Sequence, residues 1–175
     1  MAESGVKRTI GILACGRPPE VIVELRGSYP DLFRELLGNT FAYREWSVHG
    51  GDLPPDESCC DGWLISGSKH AVYEDHPWIP ALEEFVRRCY RSATPVYGVC
   101  FGHQLIAQAL GGRVEKFRGG WALGRAEYSL DCGTSVFLNA VHQDQVVSLP
   151  EEATPFLRSS FCPYAHLLSS EVLVA

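Results

Sequence analysis

The sequence predicts an α/β domain built on an open, mainly parallel sheet with helices on both faces and a small antiparallel extension. Three observations lead there. Short apolar runs alternate with helical patterns between residues 8 and 112. All but one of those runs are apolar at successive positions rather than at every second one, as strands buried on both faces are. After Gly112 the helical pattern fades and strand-like segments follow one another. At 175 residues and 46% apolar, the chain is long enough for one domain with a substantial core.

Residues 8–15, RTIGILAC, read as a buried strand, and GRPPE after them as a loop. Residues 28–38, SYPDLFRELLG, fit a short amphipathic helix with Leu32, Phe33, Leu36 and Leu37 on one face and Gly38 as its stop. FAYREWSV (41–48) alternates as a second strand, GGDLPPDESCCD is a loop, and GWLIS (62–66) is a third strand. In residues 77–92, Ile79, Leu82, Phe85, Val86 and Cys89 recur at helical spacing. Pro80 falls in that helix's first turn, where it costs little. PVYGV (95–99) is a fourth strand and FGHQLIAQAL (101–110) the helix after it. RVEKF, WALGRAEYSL and SVFLNAV read as strands of the extension, and EVLVA (171–175) as one more buried strand.

A net charge of −6 without a Lys/Arg run argues against a nucleic-acid partner. No segment approaches the roughly 20 apolar residues of a membrane span. No apolar stretch of signal-peptide length follows residues 1–8 either, so a cytoplasmic protein is expected. Seven scattered cysteines are not a disulfide framework. They include no CxxC and no Cys/His grouping of zinc spacing, so no metal and no cofactor are expected.

One cysteine stands apart. Gly98-Val99-Cys100-Phe101-Gly102 lies where an apolar strand runs straight into a helix. Such a turn lifts its central side chain above the carboxyl edge of a parallel sheet, where open α/β sheets place their sites. Glycines on both sides remove the side chains that would crowd it. This is the pattern of a nucleophile elbow with cysteine in the serine position. The helix N-terminus is expected to favour the thiolate, and the Phe101 N–H to face a developing oxyanion. Gly67-Ser68, at the end of the preceding strand, can supply a second N–H. The structural alternative is a packed cysteine before a helix.

Three stretches in order, DGWLISGSKHAVYEDHPW, GVCFGHQLIAQALGGRVEK and VHQDQVVSLP, resemble the class I glutamine amidotransferases. The likeness is strongest to the stand-alone group similar to the GMP synthase glutaminase domain and to γ-glutamyl peptidases. The resemblance implies that Cys100 is the nucleophile attacking a glutamine or γ-glutamyl side-chain amide, with Gly67 and Phe101 as oxyanion donors. It implies that Gln104, Ser68, His142, Gln143 and Asp144 bind the substrate, and that His103 only packs. It leaves room for a synthetase on a separate subunit. The intracellular cysteine protease and chaperone group shares the elbow but usually lacks the glutamine at position 104.

The resemblance also implies a catalytic His and Glu in a His-Pro-Glu motif after a late strand. No such motif follows His142. The later His166 has Glu171 five residues on, and AHLLSS corresponds to a turn region of the family. Two expectations compete: a single family domain whose C-terminal part is missing from these 175 residues, or a pseudo-enzyme serving as a binding or regulatory module. Retention of the other motif residues favours the first.

Overall fold

The computed structural model describes residues 6–130, 133–169 and 173–174. Its centre is a four-stranded sheet of β1 (Thr9–Ala14), β2 (Ala42–Ser47), β3 (Gly62–Ile65) and β4 (Val96–Gly98), ordered β2-β1-β3-β4. Every neighbouring pair is parallel, with Ile12 beside Leu64 and Leu64 beside Tyr97. The chain must therefore cross over between strands, and helices serve as the crossovers.

Four α-helices are present among the described residues: α1 (Glu20–Arg26), α2 (Tyr29–Leu37), α3 (Trp78–Arg91) and α4 (Phe101–Ala109). Successive strand residues point to opposite faces. Leu13 and Cys15 join a core with Ile79, Leu82 and Phe85 of α3 and Leu105 and Ile106 of α4. Ile12 and Ala14 are buried outside that core, as is Phe33 of α2, which packs near β1. Helices thus cover both faces.

In α3 the buried residues are the five with predicted helical spacing. In α2 the Ser28 hydroxyl accepts from the Asp31 N–H while the Asp31 carboxylate accepts from the Ser28 N–H, a reciprocal cap. Its apolar stripe is narrower than expected, because Leu36 is 77% exposed and Phe33 carries the burial. The seven-residue α1 is an element that sequence patterning missed. It buries no residue, and Val21, Ile22 and Leu25 face solvent, so no core-facing stripe announces it.

The rest of the chain is antiparallel. β5 (Arg113–Lys116) pairs with β8 (Asp144–Ser148). A second sheet runs β11-β10-β9-β6-β7, with β6 Ala122–Leu130, β7 Ser135–His142, β9 Ala153–Arg158, β10 His166–Ser169 and β11 Leu173–Val174. The expected turn at AHLLSS is therefore corrected, since residues 166–169 are a strand paired to β9. Pro155, which cannot donate to a ladder, hides β9 in the sequence. It sits opposite Leu167, where the register shifts between His166 and Leu167. Of the strand expected over 171–175, Leu173–Val174 is a strand near β4 and α4, and the other three residues lie outside those described. No helix among the described residues is long and apolar enough to cross a membrane.

Candidate active site

β4 ends at Gly98 and α4 begins at Phe101, with Cys100 as the residue before the helix. The Val99 N–H donates to the Ile65 carbonyl at 2.9 Å and the Gln104 N–H to the Cys100 carbonyl at 3.1 Å, so the turn is tied at both ends. Its tightness explains the glycines. A Cβ at Gly98 would enter the backbone of Gly102 and His103, and one at Gly102 would lie 2.5 Å from the Ile65 oxygen. Cys100 itself has φ 54° and ψ −106°, a conformation L residues avoid. Holding it there costs about 1–3 kcal/mol.

That strain is measurable. Cys100→Gly is expected to raise stability by about 1 kcal/mol, the relief of strain less the extra freedom of unfolded glycine. In a chain this long the melting temperature should rise about 2–4 °C. A fall in melting temperature would show that the turn is relaxed.

The thiol does not behave as its helix position led us to expect. It is reachable from solvent but sits on a cleft floor, and burial pushes its pKa above the ordinary value. The Phe101 N–H, hydrogen-bonded to the sulfur, pulls it back, and the negative charge of Asp144 raises it further. Desolvation outweighs the helix terminus because surrounding protein, not bulk water, would have to solvate the anion. A raised pKa leaves little thiolate at neutral pH. Alkylation of Cys100 by iodoacetamide should therefore climb about tenfold per pH unit from pH ~7 to pH ~9. A plateau below pH ~8 would overturn this.

Gly67 follows β3, and its peptide is held from behind. The buried Ser66 hydroxyl donates to the Gly67 carbonyl at 2.9 Å and accepts from the Cys15 N–H at 2.9 Å. A Cβ on Gly67 would stand 3.9 Å from the Cys100 Cβ, so the two residues are neighbours. Ser68 lies beside them, its hydroxyl accepting from the His70 N–H at 3.2 Å.

The segment 142–144 links β7 to β8 and reaches the cleft through α4. The Gln104 amide donates to the Asp144 carbonyl at 2.9 Å, and His142 Nδ1 lies 3.2 Å from the same oxygen. Gln104 thus ties helix to strand. Gln143 donates to the Phe117 carbonyl at 3.1 Å. Gly67, Ser68, Cys100, Phe101, Gln104, His142, Gln143 and Asp144 all line one cleft of about 1500 Å³. His103 is 7% exposed, its Nε2 against the Tyr164 carbonyl at 3.1 Å, consistent with packing.

Two tyrosines escaped the sequence reading. Tyr29 reaches Gly67 from α2, and its hydroxyl pKa is raised by burial and by the nearby Cys100. The Tyr73 hydroxyl donates to Asp144 Oδ1 at 3.1 Å. Tyr29 lies outside the three quoted stretches and Tyr73 lies inside the first of them without a signature of its own, and only the packing of α2 and the β3–α3 loop brings them in.

Comparison with known proteins gives the family and the fold. The family description "Glutamine amidotransferase class-I" matches residues 42–161. The chain belongs to the class I glutamine amidotransferase family. Among curated relatives, γ-glutamyl peptidase 4 of Arabidopsis thaliana is 31% identical over 150 residues, covering 77% of this chain and 60% of that protein. A glutamine-hydrolysing GMP synthase of Vibrio atlanticus is 29% identical, over 86% of this chain and 30% of the relative. This amidotransferase-family chain therefore spans about 60% of the peptidase's length. A solved glutamine amidotransferase of Methylobacillus flagellatus superposes with a TM-score of 0.77 at 22% identity, over 95% of this chain and 67% of the other. That likeness establishes the shared fold.

Proposed function

We infer that the chain carries the acyl-transfer centre of a glutamine-hydrolysing enzyme, with Cys100 as nucleophile. The observation that carries this reading is the strained Cys100 turn with Gly67 beside it. Sγ attacks the side-chain amide carbon, a C–S bond forms, and the C–N bond breaks. The nitrogen leaves as ammonia or an amine with the proton the thiol gave up. Water then cleaves the thioester to glutamate and restores the thiol. The N–H groups of Gly67 and Phe101 face the oxygen that becomes negative. Ser68 and the 142–144 segment hold the substrate's α-amino and α-carboxylate groups, with Gln104 fixing that segment. Ammonia would pass to a synthetase on another chain, as the likeness to GMP synthases suggests.

A second substrate, a γ-glutamyl peptide, has its own support in the 31% identity to a γ-glutamyl peptidase and in the volume of the cleft. A cleft of about 1500 Å³ has room for an amine larger than ammonia. One experiment tests both. L-glutamine or a γ-glutamyl dipeptide is added while Cys100 is alkylated. Either should slow alkylation saturably, D-glutamine should not, and the stronger protector identifies the substrate class. Equal rates with and without both compounds would refute the site.

A further inference from the structure

The loop between β3 and α3 holds a group of side chains that the acyl-transfer chemistry does not use. His70 Nδ1 lies 2.7 Å from Glu74 Oε2, His76 Nε2 lies 3.0 Å from the same oxygen, and the two nitrogens are 3.0 Å apart. Every side of this triangle has hydrogen-bond length.

Protons cannot satisfy it. Each ring nitrogen in the triangle carries at most one proton, and the carboxylate carries none. With both nitrogens protonated, the carboxylate oxygen accepts twice but two protonated nitrogens stand 3.0 Å apart with no acceptor between them. With one protonated, the bare lone pair of the other faces the carboxylate oxygen. A single cation accepting all three lone pairs satisfies every side at once.

The donor set and its support fit such an ion. Two imidazoles and a carboxylate suit zinc(II), and three protein ligands leave a fourth position for water. Tetrahedral zinc with bonds near 2.0–2.1 Å needs its ligand atoms about 3.3 Å apart, so the triangle has to open by about 0.3 Å on two sides and about 0.6 Å on the His70–Glu74 side. Glu74 is pre-aimed, because its other oxygen accepts from the Ala71 N–H at 3.0 Å. His76 stacks on Trp78 with an interplanar angle of 19°. All three side chains are a quarter to two-fifths exposed, so an ion can enter.

We propose that His70, Glu74 and His76 form a three-ligand zinc(II) site at the rim of the Cys100 cleft. The ion clasps the loop that begins with Gly67. His70 and Glu74 also line the cleft, and Trp78 lies 5.5 Å from the Phe101 ring between centroids. Sequence spacing does not announce the site, since the His-x3-Glu-x-His run lies in a loop of no regular period.

Cobalt(II) titration of the 175-residue chain tests it, with zinc(II) as competitor. The expected result is about one equivalent bound, visible ligand-field bands without a thiolate charge-transfer band, and displacement by zinc. NMR of the cobalt form should show shifted, exchangeable imidazole N–H signals from two histidines. His76→Ala and Glu74→Gln should each weaken binding by more than about tenfold, with far-UV circular dichroism unchanged, whereas Cys59→Ser should not weaken it. No saturable binding, a thiolate band, or unchanged affinity in the folded His76 and Glu74 variants would overturn the assignment. The unsubstituted chain's spectrum reports the ligand type even if a variant fails to fold.

Discussion

A diazo-ketone analogue of glutamine is expected to label Cys100 before any other cysteine, and Cys100→Ala should abolish that labelling. Cys15, Cys60, Cys89 and Cys162 are buried in the structure, and Cys59 is half-buried. Burial pushes the Cys89 thiol up to about 12 and the Cys60 thiol up to about 11. Burial also raises Cys15 and Cys162. Cys100 is raised too, but it is the exposed one among the described cysteines, and the Phe101 N–H is hydrogen-bonded to its sulfur. Access and that hydrogen bond are what a γ-glutamyl electrophile uses. Peptide mapping after limited labelling is the measurement. Modification of Cys59 or Cys60 with Cys100 untouched would refute the elbow as a nucleophile site.

Turnover is expected to part company with labelling. The 175-residue chain should hydrolyse glutamine about 10⁶-fold more slowly than an amidotransferase with a complete Cys-His-Glu triad. A thiol with a raised pKa needs a base to take its proton and return it to the leaving nitrogen. No His-Pro-Glu follows His142 in the sequence. Each histidine whose side chain is described has a ring nitrogen engaged elsewhere. His49 meets the Ala14 carbonyl, His103 the Tyr164 carbonyl and His142 the Asp144 carbonyl, while His70 and His76 belong to the Glu74 group. A coupled glutaminase assay with Cys100→Ala as blank measures the rate. Robust turnover that depends on Cys100 would mean that a histidine of this chain serves as base. Labelling without turnover is the signature expected of this chain. Absence of both would point to a binding module.

The sequence by itself determined the alternation of strands and helices as far as Gly112, because burial leaves a period. The five buried residues of α3 are the ones its spacing selects. It determined the elbow as well, because sterics demand glycine at Gly98 and Gly102 whatever surrounds them. It could not announce α1, which buries nothing, or β9, where Pro155 breaks the strand signature.

Only the tertiary structure decided the thiol's acidity. The helix terminus is local and legible, but the desolvation that overrides it comes from elements brought together around Cys100, and the opposing charge comes from Asp144 on β8. The same holds for Tyr29 and Tyr73 in the cleft. It holds most of all for His70, Glu74 and His76, whose spacing within one stretch does not announce that their polar atoms meet. The path of one loop places their three polar atoms within 3.0 Å of one another. Periodicity reports what a segment buries, whereas such convergence depends on where a loop is carried by the elements that anchor its ends.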